Sequence, residues 1–258
     1  MIDTHNHLLP GIDDGARDME ETLSMCRVAL DDGIGVIAAT PHSFDGKFRN
    51  DVDSIKSLVL KLNARLSSAD LDLRIVPGME VRIVADLVEL VADGKILPLN
   101  EGKYILLEFH PSQLPAGFEN LARHLASSGF GLILGHPEKN SVIQGAPEYL
   151  FHLLNKFKPW DILIQVSADA LTGEHGFRAA RTAKTLFRHN LVHIIATDAH
   201  SSDKRAPRLS EAVEVASSLI GRESALKMVH EIPKAVLEGG AFPEPQVPKN
   251  PRRWWRIF

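Results

Sequence analysis

Two histidines stand two residues apart near the start of the chain, in Met1-Ile2-Asp3-Thr4-His5-Asn6-His7. On a strand, that spacing sends both side chains to the same side, where two neutral imidazoles chelate a borderline divalent ion such as Zn, Mn or Fe. A lone HxH is common on ordinary solvent-facing strands, so its weight here comes from repetition. Further strand-like runs end in His42, Glu80, Glu108, His136, and the pair Asp198 and His200, and Asp14 lies in the loop after the first run. Each alone has an ordinary explanation, as a turn residue, a loop histidine or a helix cap. Nine together, mixed histidine and carboxylate with no cysteine, suit a hydrolytic Mn, Fe or Zn site and exceed what one ion uses. Two or three divalent ions are implied, with Mn first.

Positioning such a set is the task of the intervening elements. Strand-like runs begin near residues 2, 35, 73, 104, 131, 162 and 191, and most are followed by a helical pattern. Asp18 with Glu21 three residues on marks one helix start; further helices are expected over 51–69, 84–92, 118–128, 147–157, 177–189, 210–219 and 223–230. Strands alternating with helices argue for parallel βα units. Polar residues at the C-terminal ends of strands from all over the chain meet on one face only if the sheet curls into a barrel. The expected fold is therefore α/β, a (β/α)7 distorted TIM-like barrel with its active site at the C-terminal ends of the strands. Its span is residues 1–240, with 241–258 as a Pro-rich connector and basic aromatic tail.

Composition removes several alternatives. The 258 residues match the length of one βα barrel. The formal charge of -4 offers no basic excess for a phosphate backbone, so nucleic acid is not an expected partner. A single cysteine, Cys26, excludes an intrachain disulfide. The start lacks a basic segment followed by an apolar one, and no apolar run approaches the ~20 residues of a membrane span; the expected location is cytoplasmic. A cysteine-based phosphatase loop is also excluded, because the position six residues after Cys26, where that loop carries arginine, is Asp32.

The stretches IDTHNHLLPGIDDGARDMEETLSMCRVALDDGI, IAATPH, PGMEV, LPLNEGKYILLEF, GHPEKN, QVSADALTGEHG and VHIIATDAHSSDKRAPRLSEA lie in order over most of residues 1–215. Together they resemble the polymerase and histidinol phosphatase (PHP) superfamily, and within it the bacterial capsule- and exopolysaccharide-associated protein tyrosine phosphatases. The resemblance implies a trinuclear site: His5, His7, Glu80 and Asp198 on one ion, bridging Glu80 with Glu108 and His136 on a second, Asp14, His42 and His200 on a third. It implies hydrolysis of phosphotyrosine by in-line attack of a metal-bridging hydroxide, on the tail of a bacterial tyrosine kinase of capsule or exopolysaccharide biosynthesis. Arg205 matches the family's phosphate-binding arginine after the DxH motif. The family's HxER stretch reads His136-Pro137-Glu138-Lys139 here, and lysine keeps the charge but loses the planar fork; Lys139 is either a weaker phosphate ligand or a solvated surface charge.

The alternative is a small-molecule phosphatase on the same barrel, such as a histidinol-phosphatase, which the same ligands would serve. An exonuclease is disfavoured by the acidic charge, and an inert scaffold would show lost ligands. His110, His175 and His193 are expected to be structural, and His124, His152, His189 and His230 to be ordinary helix residues. In the tail, Pro243, Pro245, Pro248 and Pro251 precede Arg252-Arg-Trp-Trp-Arg-Ile-Phe258. This end either packs back on the barrel, forms a dimer contact, stays loose, or touches an anionic membrane surface peripherally. Oligomeric state is left open.

Overall fold

The structure, a computed structural model, describes residues 1–251. The first half contains β1 (Ile2–Asn6), α1 (Met19–Asp31), β2 (Val36–Ala39), β3 (His42–Ser43), α2 (Val52–Ser68), β4 (Arg74–Pro77), β5 (Glu80–Arg82), α3 (Leu87–Ala92), β6 (Tyr104–Glu108) and α4 (Phe118–Ser127). The second contains β7 (Gly131–Gly135), α5 (Ser141–Gly145), α6 (Glu148–Leu154), β8 (Ile162–Ser167), α7 (Ala168–Thr172), α8 (Phe177–Arg188), β9 (Ile194–Ala196), α9 (Ser210–Ile220), α10 (Arg222–Lys227) and α11 (Glu231–Glu238). All strand pairs are parallel, in one sheet of order β1-β2-β4 and another of order β3-β5-β6-β7-β8-β9.

The seven expected runs are present, but two are interrupted. The second breaks into β2 and β3 around Pro41, and the third into β4 and β5 just after Pro77. Proline has no N–H to give a ladder, so the pairing lapses there. The two sheets remain joined through the backbone: Thr40 donates to the Asn6 carbonyl at 2.9 Å and Glu80 to the Pro41 carbonyl at 3.1 Å. On the other side, an isolated parallel bridge joins Asn6 to Ala199.

The strands bury both faces, as parallel strands covered by helices do. Ile37, Ile105, Leu132, Ile164 and Ile195 point toward the helices, in one large apolar cluster. Ala38, Val76, Leu106, Ile133, Leu163 and Ile194 form a second, separate cluster on the opposite face, together with Ile232, Val236 and Leu237 of α11. Helix α11 was not anticipated. Pro233 near its start is tolerated because first-turn N–H groups have no intrahelical partner. Elsewhere local signals hold: Asp18 caps α1 by accepting from Glu21 N–H at 2.9 Å, and Asp51 caps α2 by accepting from Ser54 N–H at 2.9 Å.

Residues 241–251 lie back on the protein. Phe242 stacks on Trp160 with ring centroids 4.6 Å apart, and Lys249 N–H donates to the His189 carbonyl at 2.8 Å. The basic aromatic residues 252–258, and with them the membrane-contact expectation, fall outside the described residues.

Candidate metal centre

Strand ends deliver the ionisable side chains to one place. His5 and His7 come from the end of β1 and the residue after it, His42 from β3, Glu80 from β5, Glu108 from β6, His136 from the residue after β7, and Asp198 and His200 from just after β9. Asp14 arrives on the loop after β1. That loop passes so close to β1 that a Cβ on Gly15 would sit 1.8 Å from the His7 carbonyl oxygen, so only glycine fits. His136 and Asp198 have positive φ, 32° and 52°. For non-glycine residues this is a strained conformation of the kind held at functional sites by surrounding structure.

At the centre, four atoms converge. His5 Nε2 lies 3.1 Å from His7 Nε2, 3.4 Å from Glu80 Oε2 and 3.6 Å from Asp198 Oδ1. His7 Nε2 lies 3.4 Å from both carboxylate oxygens. Ligands about 2.1 Å from a tetrahedrally held ion stand about 3.4 Å from one another, so these separations are those of a coordination shell. Glu80 Oε2 is fully buried and ringed by imidazole nitrogens, with His42 Nδ1 at 2.7 Å and the Nε2 atoms of His5 and His7 each at 3.4 Å, an arrangement suited to a carboxylate oxygen shared with histidines around a cation.

Around this core, His7, Asp14, His42 and His200 offer ligand atoms within 4.8 Å of one another, as do His42, Glu80 and Glu108, and likewise His5, His136 and Asp198. All nine expected metal residues are therefore in one cluster. The grouping differs from the expected sets: His7 also lies with Asp14, His42 and His200, Glu108 lies with His42 and Glu80, and His136 lies with His5 and Asp198 while reaching the other oxygen of Glu80, Nε2 to Oε1 at 2.8 Å.

The imidazoles are oriented from behind by residues that sequence reasoning missed. His5 Nδ1–H donates to Gln165 Oε1 at 2.8 Å, and Gln165 in turn donates to Thr4 Oγ1. His7 Nδ1–H donates to Asp13 Oδ2 at 2.7 Å, and His200 Nδ1–H to the Asp198 carbonyl at 2.9 Å. Each bond fixes the tautomer that leaves Nε2 free as a ligand. The adjacent pair Asp13-Asp14 was the available signal for Asp13. Nothing local marks Gln165, or Arg82, whose Nε and Nη2 both donate to Glu108 Oε2 at 2.9 and 2.8 Å.

The electrostatics are those of carboxylates outbidding burial. Burial would raise the Glu80 and Asp198 carboxyls, yet His5 and His42 around Glu80, and Lys139 and His5 around Asp198, hold both well below the usual range. Burial would lower His136, but Glu80 raises it to about 9. Glu108 is pushed up, by burial first and then by Glu80. His200 falls to about 4, through burial and then the neighbouring His7.

Both expected phosphate-binding cations stand at this cluster. Arg205 Nη2 donates to Asp198 Oδ2 at 2.9 Å, and its Nε is buried with no hydrogen-bond partner. Lys139 is not a solvated surface charge: its ammonium is buried between Asp198 Oδ2 at 2.7 Å and Asp169, whose Oδ2 and Oδ1 lie 3.2 and 3.1 Å away. Although burial opposes the charge, Asp198 and Asp169 hold its pKa above the ordinary lysine value. A cavity of about 240 Å³ opens over the cluster, lined by Asp14, His42, Glu108, Lys139, His175 and Arg205 among others. Among the other histidines, His193 accepts from Ile164 N–H at 3.0 Å and is structural, as expected. His175 instead stands on the cavity wall, beside Asp169 at 3.3 Å.

The chain is similar over nearly its whole length to known proteins. The family described as capsular polysaccharide synthesis, CpsB/CapC, matches residues 1–238. The tyrosine-protein phosphatase YwqE of Bacillus subtilis is 32% identical over 258 residues, covering 100% of both chains. The tyrosine-protein phosphatase CpsB of Streptococcus agalactiae serotype V is 25% identical over 243 residues, covering 92% of this chain and 98% of its own. A crystal structure from work on YwqE of Bacillus subtilis and CpsB of Streptococcus pneumoniae, described as unique metal-dependent tyrosine phosphatases, superposes with a TM-score of 0.91 at 33% identity. It covers 97% of this chain and 99% of that one.

Proposed function

Because the chain belongs to the CpsB/CapC capsular polysaccharide synthesis family, we propose that it is a metal-dependent protein tyrosine phosphatase, a phosphoric monoester hydrolase acting without a cysteine nucleophile. The observation that carries the proposal is the convergence of His5, His7, Glu80 and Asp198 around one point, with ligand atoms 3.1 to 3.6 Å apart. The donor set of nitrogen and carboxylate oxygen fits Mn, Fe or Zn. Two or three ions, with Mn first, would be held by His5, His7, Asp14, His42, Glu80, Glu108, His136, Asp198 and His200.

When bound, such ions supply Lewis acidity to phosphoryl oxygens and lower the pKa of coordinated water toward neutrality. The chain's own residues do the rest. Gln165 and Asp13 hold the imidazoles of His5 and His7 with Nε2 inward. Arg205 offers its unpartnered Nε to a phosphoryl oxygen. Lys139, whose ammonium has three N–H groups, spends two on Asp198 and Asp169 and keeps one for the substrate. Both cations would offset charge on the equatorial oxygens as the bond to the leaving oxygen breaks. The tyrosine leaves as a phenolate of pKa ~10, so a strong general acid matters little.

The same proposal assigns the natural substrate to a phosphotyrosine protein, the tail of a bacterial tyrosine kinase. It places the enzyme in the cytoplasm; no helix among the described residues is long and apolar enough to cross a membrane. It assigns residues 1–240 to the catalytic unit and 241–258 to the connector and tail. Counting β2 with β3 and β4 with β5 as single strands broken at proline leaves seven, and the Asn6–Ala199 bridge supports closing them into a (β/α)7 barrel.

The test compares phosphate release from a phosphotyrosine peptide and from histidinol phosphate, with Mn, with chelator, and in His136→Ala. Chelator-sensitive release favouring the peptide and lost in the variant is expected. Preference for histidinol phosphate would move the function to small-molecule metabolism.

A further inference from the structure

A groove of about 940 Å³ runs along α8, between that helix and the segment carrying α5 and the start of α6. It starts at the rim of the catalytic cavity. Asn140 and His175 line the cavity, and Ser141 and Phe177, one and two residues further on, line the groove. At its other end lies Pro251. Arg178, Arg181 and Arg188 all line it and are exposed. The side chains of Arg178 and Arg188 enter no ion pair among the described residues, whereas most arginines and lysines near the site are committed to carboxylates. Phe177 is 79% exposed at the mouth of the groove, contributing nothing to the core.

We propose that this groove docks the acidic segment of a peptide whose phosphotyrosine sits in the catalytic cavity, an inference that rests on the phosphatase function proposed above. Charge complementarity and continuity with the cavity both point to such an occupant. Arg178 and Arg188 along one wall are matched to phosphate or carboxylate side chains, and the exposed Phe177 ring offers a contact for a second aromatic side chain. The spacing sets the substrate class. Arg178 and Arg188 are ten residues apart on a helix, about 15 Å, and an extended peptide covers that in about five residues. The enzyme therefore favours phosphotyrosine followed by a segment in which two anionic side chains, acidic residues or further phosphotyrosines, stand roughly five residues apart. The other candidate occupant, the basic segment 252–258, would bring three arginines against those of α8.

Fluorescence anisotropy measures binding without turnover. Two peptides with a non-hydrolysable phosphonate analogue in place of phosphotyrosine are compared, one with two further such residues five apart in the docked segment and one with alanine at both, on the full chain with Mn. The wild type is expected to bind the peptide with the further anionic residues about tenfold more tightly, a preference that weakens with salt. Arg178→Glu/Arg188→Glu should abolish the preference and Arg178→Lys/Arg188→Lys keep most of it, both leaving kcat/KM on free phosphotyrosine unchanged. Equal binding of the two peptides, with free phosphotyrosine still hydrolysed, overturns the docking site alone. Arginine-dependent binding without any phosphotyrosine hydrolysis overturns the phosphatase function and leaves an acidic-peptide site. A chain ending at Pro251 that binds both peptides equally more tightly would give the groove to residues 252–258 and also overturn the proposal.

Discussion

The two ends of the strands are built from opposite materials. At the N-terminal ends, Tyr104, Leu163 and Ile194 pack with Leu99 and with Ile232, Val236 and Leu237 of α11 in one apolar cluster. At the C-terminal ends the same strands deliver five histidines, three carboxylates and two non-glycine residues at positive φ. The histidines register the difference. His193, which leads into β9 beside Trp160, has no carboxylate to answer its burial and drops to about 4; His136, buried against Glu80, rises to about 9. One end supplies stability through apolar burial. The other concentrates buried carboxylates and histidines, paired in part with Lys139, Arg205 and Arg82.

The sharpest way to break this contrast is to remove the shared carboxylate. Glu80→Gln is expected to cut kcat/KM on a phosphotyrosine peptide by about a thousandfold, equivalent to ~4 kcal/mol of transition-state stabilisation. Its thermal unfolding in chelator should stay close to wild type, because the change also removes a buried charge. At the opposite end, Leu237→Ala should cost about 2–5 kcal/mol of stability, measured by urea unfolding, with kcat/KM preserved. An activity loss there matching that of Glu80→Gln would erase the distinction.

Smaller effects sharpen it. Gln165→Leu, which frees the His5 ring from behind, should lower metal affinity or activity by about 10- to 100-fold, seen as a higher Mn requirement in the same assay. His193 gives a pH signature at the apolar end. Its folded pKa lies below the unfolded value, so the unfolded state binds the extra proton. Its contribution to stability is fully present above pH ~6.5 and is lost as pH falls toward about 4. Urea unfolding of wild type and His193→Asn across that range should show a shallower loss in the variant. Smallest of all, Cys26→Ala should change kcat by less than about twofold. Burial pushes the Cys26 thiol up to about 12, leaving no thiolate to act.

How far the sequence discloses this molecule depends on whether the signal is local. Alternating strands and helices, the Asp18 cap, and the His and carboxylate residues at strand ends are all written in short stretches, and each is found where expected. The two proline breaks were present in the sequence, but an apolar run with a proline near its end still reads as one strand. Helix α11 was hidden by Pro233, which reads as a breaker unless the helix start is already known. Asp13, Arg82 and Gln165 escape for a different reason. Their partners are 6, 26 and 160 residues away, so only the fold shows what they orient. Lys139 was ambiguous between phosphate ligand and surface charge because its neighbours Asp169 and Asp198 are brought to it by later strands.

The central claim, that the charged end is a metal-dependent phosphotyrosine hydrolase, is tested most directly by stripping the chain of metal and titrating Mn back. Bound ions per chain are counted alongside phosphate release from a phosphotyrosine peptide, for wild type and Asp14→Ala. The account predicts no release without metal, recovery as more than one ion binds, and about one ion fewer in the variant. Undiminished release from the metal-free chain would contradict it.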